Sequence, residues 1–208
     1  MDQVSQPRLD LGDEKFRWDR YGSAVTADDK RLYIGSRDGN VYALEPASGR
    51  EIWRFRTGDM VTGTPAVYGD FVIFNSYDKH VYAVKADDGS LQWKRDLKGE
   101  LPSDVVIAGD RALIGSRSYD LSAIDLSSGE MRWQRYVWFS WIESAPNVRD
   151  GIACVGTSDA LKLFAFDIRD GRMQWGFGAS PVATEQAVYA ADLAGRVYAF
   201  SSEAQPGT

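Results

Sequence analysis

A tryptophan recurs along this chain at the end of one short pattern: an alternating segment, a polar turn containing Gly, then Trp four residues after that Gly. Four copies are complete: VYALEPASGREIW at 41–53, VYAVKADDGSLQW at 81–93, LSAIDLSSGEMRW at 121–133 and LFAFDIRDGRMQW at 163–175. With Trp18 included, the repeat tryptophans stand at 18, 53, 93, 133 and 175, in steps of 35, 40, 40 and 42. A period of about 40 residues holds four short strands and is the pattern of a β-propeller.

Each repeat runs in the same order. A segment such as Thr64-Pro65, Ala145-Pro146 or Ser180-Pro181 opens it, and a tight turn such as Tyr68-Gly69-Asp70 leads into a β-rich run such as 71–74. A polar hairpin such as Arg37-Asp38-Gly39-Asn40 follows, then an alternating strand carrying Ala at 43, 83, 123, 165 or 199. The turn glycines at 49, 89, 129 and 171 suit positions of positive φ. The last repeat stops after Val197–Phe200 without a Trp strand, while Lys15–Trp18 supplies a lone Trp strand. The expected fold is therefore all-β: a single propeller of five blades, each of four antiparallel strands, closed by pairing the N-terminal strand with the last blade. Closure would remove the exposed sheet edges that invite aggregation. Residues 1–15 read as a flexible segment, 16–201 as the propeller and 202–208 as a tail.

Composition excludes several function classes. Lys+Arg of 24 against Asp+Glu of 30 gives a net charge of −6, which argues against nucleic acid or an anionic membrane as partner. Cys154 is the only cysteine, so no intrachain disulfide or thiolate metal cluster can form, and its alternating run 152–155 suggests a buried, inert thiol. No apolar stretch approaches the length of a membrane span. The N-terminus lacks a basic stretch followed by an apolar one, so the chain reads as cytoplasmic. A chain whose signal had been removed would look the same and would be periplasmic or secreted.

The repeats resemble the pyrroloquinoline-quinone-type propeller family, whose pattern runs roughly A-x-D-x-x-T-G-x-x-x-W. The resemblance covers nearly all of residues 16–200 and implies that each Trp docks between neighbouring blades over the small Ala of the repeat. The pattern's Asp is kept as Asp125 and Asp167, whereas Glu45 and Lys85 replace it elsewhere. The quinone dehydrogenases of that family have eight blades, a bound Ca²⁺ and commonly a vicinal disulfide. Five blades and one Cys do not match them, so no quinone, metal or other cofactor is expected. Two kinds of relative fit better: the propeller lipoprotein of outer-membrane protein assembly, and repeat modules appended to signalling proteins. Both are interaction platforms. The lipobox Cys of the lipoprotein is absent from this sequence.

A propeller presents ligands on the face built from the hairpins between second and third strands and from the crossovers between blades. By register that face carries Arg37, Tyr77, His80, Arg117 and Tyr119, beside Asp38, Asp78, Asp120, Asp159 and Asp192. Asp and Gly make hairpins in any case, but turns do not require Arg, whose planar fork suits carboxylate or phosphate. The crossover 136–142 breaks the repeat: Trp138, Phe139 and Trp141 stand where 56–61 and 96–101 carry small and charged residues. Such aromatics either seal the channel mouth or form a binding hot spot. Two acids stand near the mouths of inner strands: Asp104 takes the place of the Pro of other repeats (Pro65, Pro146, Pro181), and Glu143 lies at the mouth of the next inner strand. Carboxylates so placed serve glycoside hydrolases. His80 is a possible general base, but no Ser, Cys or second His stands in motif spacing with it.

The reading is a non-catalytic scaffold that binds a protein or peptide on its loop face through Trp138, Phe139, Trp141, Arg37, Arg117, Tyr77, Tyr119 and His80. The alternative is a carbohydrate-binding or glycoside-hydrolysing propeller using Asp104 and Glu143, and a purely structural domain is the third possibility.

Overall fold

Each repeat forms one antiparallel sheet whose strands follow chain order from the inside outward. The computed structural model describes residues 22–137, 140–158, 162–177, 182–183, 187–191 and 197–201. The first blade is β1 (Thr26–Ala27), β2 (Leu32–Gly35), β3 (Asn40–Leu44) and β4 (Glu51–Arg56); the second is β5 (Ala66–Tyr68), β6 (Phe71–Asn75), β7 (His80–Lys85) and β8 (Leu91–Asp96). The third is β9 (Val106–Ala108), β10 (Arg111–Gly115), β11 (Asp120–Asp125) and β12 (Met131–Tyr136). The fourth is β13 (Asn147–Arg149), β14 (Ile152–Gly156), β15 (Leu163–Asp167) and β16 (Met173–Phe177). The fifth sheet holds β17 (Val182–Ala183), β18 (Ala187–Ala191) and β19 (Val197–Ser201) among the described residues. Inner strand β1 lies beside β5, β5 beside β9 and β9 beside β13, the arrangement of a β-propeller. Trp18, the expected closing strand around it, and the segments 1–15 and 202–208 lie outside the described residues.

The core is divided among the blade interfaces. Val72 and Phe74 of β6 pack with Tyr33, Val41 and Trp53 of the first blade, whereas Ile73 between them packs with Ala112, Ile114 and Ile124 of the third. Alternate residues of a strand point to opposite faces, and both faces of this sheet are covered. That is why the run 71–74 is apolar throughout instead of alternating. Cys154, on β14, is half-buried, and burial pushes its thiol pKa up.

The Ala–Trp pattern has a local cause. Ala43, Ala83, Ala123 and Ala165 each lie directly across the sheet from the Trp of the same repeat, and a bulge follows immediately in the register. The indole then reaches the next blade: Trp53 Nε1–H donates to Ala86 O (2.8 Å), Trp93 to Leu126 O (3.0 Å) and Trp133 to Ile168 O (2.9 Å). The ring rests on the turn glycine of that blade. A Cβ on Gly89, Gly129 or Gly171 would fall 2.8, 2.6 or 2.6 Å from Trp53, Trp93 or Trp133, and each glycine also has φ near +70°. These glycines are doubly required, by backbone conformation and by the indole above them. A second latch recurs two residues on, where Arg95 Nε donates to Gly129 O (2.6 Å) and Arg135 Nε to Gly171 O (2.9 Å).

Asp125 and Asp167 stitch the same turns together. Asp125 Oδ1 accepts from the backbone N–H groups of Ser127 (3.0 Å) and Ser128 (2.9 Å) and from both hydroxyls, while Oδ2 pairs with Arg132. Asp167 accepts from the Arg169 backbone (2.9 Å) and guanidinium. These bonds, Ser127 and then Arg132 foremost for Asp125 and Arg169 for Asp167, hold both carboxyls well below the usual carboxylate range. A depressed folded-state pKa contributes stability above the unfolded value of about 4 and loses it as pH falls further. Asp125→Asn is accordingly expected to lower the urea midpoint at pH 7 and to flatten its decline between pH 5 and pH 2. An unchanged acid profile would remove Asp125 from the groups that couple folding to pH.

Candidate functional site

The crossovers and the hairpins between second and third strands form one face because backbone hydrogen bonds lace them together. Thr57, Leu97 and Val137 donate N–H to the carbonyls of Gly39 (2.8 Å), Lys79 (2.9 Å) and Tyr119 (2.7 Å) in their own blades. On the far side, Tyr77, Arg117 and Ser158 of the following blades donate to Met60 O (2.9 Å), Glu100 O (2.9 Å) and Trp141 O (3.0 Å). Met60, Glu100 and Trp141 are therefore equivalent. The next residues, Val61, Leu101 and Ile142, are all buried, so the third crossover is one residue longer than the second.

Arg117 is the node of this face. Its Nε (2.9 Å) and a terminal nitrogen (2.7 Å) both donate to Glu143 Oε1, and its other terminal nitrogen donates to Glu100 Oε2 (2.9 Å). The guanidinium carbon lies 5.2 Å from the Trp141 ring and 5.5 Å from the Tyr77 ring, cation–π distances. Burial alone would lower the guanidinium pKa, but the bonds it donates to Glu143 and Glu100 outweigh this and raise it. One side chain thus rivets the hairpin of the second blade and the crossovers on either side of the third. Arg117, Tyr77, Trp141 and Glu143 are brought together as one site, but the fork expected to take a ligand's carboxylate is filled by the chain's own acids. Glu100 joins the site unforeseen; its equivalence to Trp141 would have pointed to it.

The other candidates sit apart from that node. Arg37 occupies the equivalent place in the first blade and is half-buried. Tyr119 has φ +68° and packs edge-on against Tyr136 at 6.1 Å; Lys79 (+75°) and Gly39 (+85°) share its backbone position. His80 holds its own turn, with Nδ1 2.8 Å from Asp78 O and its ring against Tyr82. Asp38 and Asp78 are turn acceptors for Tyr42 and Tyr82, and Ser118 and Ser122 take those two places in the third blade. Trp138, Phe139, Asp159 and Asp192 lie outside the described residues. Among the described residues no group of three or more His, Cys, Asp or Glu is placed to hold a metal ion.

Asp104 and Glu143 do converge. Both line a cavity of about 210 Å³ with Gly22, Thr62, Pro102, Ser144 and Ala145. Gly22, Thr62, Pro102 and Glu143 hold equivalent places in four successive repeats, which puts this cavity on the propeller axis. Strand register corrects one expectation. Ala66 of β5 and Val106 of β9 are equivalent, so Val105 stands in the place of Pro65, and Asp104 is the counterpart of Thr64 and Ala145. The position has a structural use: Thr64 Oγ1 accepts from Ala24 N–H (3.2 Å) and Asp104 Oδ1 from Thr64 N–H (2.7 Å), each linking to the preceding blade. A second cavity of about 330 Å³ adjoins it, lined by Glu143, Ser144, Gly156, Thr157 and Ser158.

The sequence matches the family model described as outer membrane protein assembly factor BamB over residues 5–137 and again over 77–205. A curated outer membrane protein assembly factor BamB from Nitrosomonas eutropha is 34% identical over 50 residues, 24% of this chain and 12% of that protein. The structure is similar to BamB from Moraxella catarrhalis, with a TM-score of 0.68 and 21% identity over 86% of this chain and 60% of that one. It is similar at 0.68 and 16% identity to the computationally designed Ika8 protein, covering 86% of this chain and 57% of that one. A quinohemoprotein alcohol dehydrogenase, ADHIIG from Pseudomonas putida HK5, gives 0.70 and 14% identity over 87% of this chain and 42% of that one. These structural likenesses show the fold alone, and the chain spans less than two thirds of each of these proteins.

Proposed function

The chain belongs to the family of outer membrane protein assembly factor BamB, and from that membership we propose that it is a non-catalytic platform that docks a protein partner on its crossover face. The observation that carries this reading is the Tyr77–Arg117–Trp141 stack. Two aromatic rings on different loops are held by one guanidinium, itself fixed by Glu100 and Glu143. An anchor fixed before binding loses little entropy on association, and Trp, Tyr and Arg are the residues that dominate interface energetics. The partner we propose is a component of outer membrane protein assembly, and the compartment is the periplasm, the second of the two that the sequence allows. On this reading Trp138 and Phe139, close to Trp141 in sequence, also contribute to docking, with Arg37 on the first-blade hairpin, Tyr119 on the hairpin of Arg117 and His80 on that of Tyr77.

Capture from an envelope extract of the source cell tests this. Wild type is expected to retain an assembly component that both Trp141→Ala and Trp138→Ala/Trp141→Ala lose, with variant melting temperatures confirming an intact fold. Retention of the same protein by well-folded variants would overturn the reading, as would no protein retained by wild type.

The convergence of Asp104 and Glu143 on one cavity favours a second reading, a carbohydrate site at the channel mouth. Asp104→Asn separates the two, since it keeps the oxygen that bonds Thr64 and spares a platform but disables a hydrolase.

A further inference from the structure

We propose that the Asp150–Gly151 turn is a self-modification site, where aspartate converts to isoaspartate through a succinimide with water as the co-reactant. The turn joins β13 to β14 at the end of the fourth blade opposite the crossovers, so the inference does not depend on the docking reading.

Succinimide closure needs an aspartyl carboxyl and the next residue's backbone nitrogen free at once, and a following glycine leaves the approach unhindered. Asp-Gly occurs at 38–39, 88–89, 150–151 and 170–171. Three of these pairs are locked. The N–H of Gly39 donates to Ser36 O (3.1 Å), that of Gly89 to Lys85 O (2.9 Å) and that of Gly171 to Asp167 O (2.8 Å). Their carboxylates are engaged too: Asp38 by the Asn40 N–H (2.9 Å) and the Tyr42 hydroxyl, Asp88 by the Ser90 N–H (2.8 Å) and Asp170 by the Arg172 N–H (2.8 Å).

Neither lock exists at Asp150–Gly151. Arg149 and Ile152 pair across the hairpin, and the two residues between them turn at φ +49° and +77°. A two-residue turn of this kind keeps its central N–H groups out of the ladder. Among the described residues the Gly151 N–H meets no acceptor, and the Asp150 carboxylate has only Arg149 Nε at 3.6 Å, beyond a hydrogen bond. The Asp150 side chain is 90% exposed, and the space around Gly151 is open. Left-handed backbone is costly for an L residue, so rotation of Asp150 away from it releases strain. The second and third blades carry the reverse order at this turn, Gly69-Asp70 and Gly109-Asp110. There the nitrogen following each Asp belongs to Phe71 or Arg111, inside a strand.

In the reaction the Gly151 nitrogen gives its proton to solvent and attacks Asp150 Cγ. The N–Cγ bond forms, the Cγ–O bond breaks and the oxygen leaves as water. Water then opens the ring at either carbonyl. Attack at Cγ restores aspartate, whereas attack at the main-chain carbonyl leaves the peptide running through Cβ and Cγ, with an extra methylene in the backbone. Nothing is oxidised or reduced. The Gly151 carbonyl accepts from Ile168 N–H (3.0 Å), and Ile168 O holds the Trp133 indole, so a longer turn slackens the blade interface beside it.

The test incubates the folded, full chain at neutral pH in water enriched in heavy oxygen, since each ring opening places a solvent oxygen in the peptide. Peptide mass spectrometry then reads label at each Asp-Gly pair, and electron-based fragmentation separates isoaspartate from aspartate. Label is expected at Asp150 roughly tenfold faster than at Asp38, Asp88 or Asp170, whose glycine N–H must first leave a hydrogen bond. In urea the rates at all these pairs should draw together. Asp150→Glu makes the side chain too long for this ring, and exchanging the pair (Asp150→Gly with Gly151→Asp) restores the order of the second and third blades. Both variants, with melting temperatures verifying the fold, are expected to lose the label at this turn. Protein enriched in isoaspartate is expected to melt below fresh protein, and unaltered melting would overturn the coupling to Trp133. No label at Asp150, equal label at the locked pairs of the folded chain, or undiminished label in the two variants would overturn the proposal.

Discussion

Replacing Trp133 with Ala is expected to lower the free energy of unfolding by about 3–5 kcal/mol, the range for deleting a large buried aromatic. Trp133 is 6% exposed and lies in the interface between the third and fourth blades with Leu113, Leu121, Phe164 and Phe166. Truncation removes the ring from above Gly171 and strips Ile168 O of its indole N–H. Gly171, which faces the ring, has no side chain to fill the space. Trp133→Phe keeps most of the apolar contact and loses the hydrogen bond, so a smaller loss of about 1 kcal/mol is expected. Urea denaturation measures both. Repeat proteins are stabilised largely by nearest-neighbour interfaces, so amide exchange in the Ala variant should quicken between the third and fourth blades more than in the first. A loss under 1 kcal/mol, or uniform quickening, would show that the blades are held by something other than these indoles.

Arg117→Ala is the second large effect, about 1–3 kcal/mol. Partner exposures of 28% for Arg117 and 14% for Glu143 place the pair between a surface bridge and a buried one. The upper limit for breaking a buried pair is therefore discounted for solvent screening. Removing the guanidinium takes the Arg117 charge away from Glu143 and Glu100 and the cation away from the Tyr77 and Trp141 rings. Arg117→Lys should rescue little, because a compact ammonium lacks the planar fork that bonds both carboxylates. A double-mutant cycle with Glu143→Gln is expected to give a coupling of about 1 kcal/mol or more, shrinking as salt is raised. Zero coupling would mean that the contact forms without contributing to the fold. On the platform reading, the same variant also weakens partner binding, because Trp141 and Tyr77 lose their common support.

Much of the fold was legible in the residues because each signal was local and repeated. The Gly-to-Trp spacing returns near 40 residues, and the positive-φ turns fall at Gly49, Gly89, Gly129 and Gly171 as that spacing requires. The candidate site was only partly legible. Trp141 was identifiable as a departure from the repeat, and Arg117 and Tyr77 as residues of the loop face, but their mutual contact was not legible. They lie on three loops, up to 64 positions apart, and repeat register says which face a residue occupies without saying which neighbour it touches. Asp104 shows the reverse failure: one residue of slip in assigning the strand start gave it the place of a proline.

What the sequence determined by itself is therefore the architecture: strand order and the position of the Ala–Trp pairs. Alternation, turn chemistry and repeat spacing are properties of the chain read along its length, and they act over a few residues at a time. Only the tertiary structure decided that Arg117 is bound by the chain's own acids, that Glu100 belongs to the site, and that Thr62, Asp104 and Glu143 share one axial cavity. Those facts depend on distances between blades. Blade-to-blade distance is set by how indole, glycine and aliphatic side chains pack between sheets, and no single repeat contains both sides of that contact.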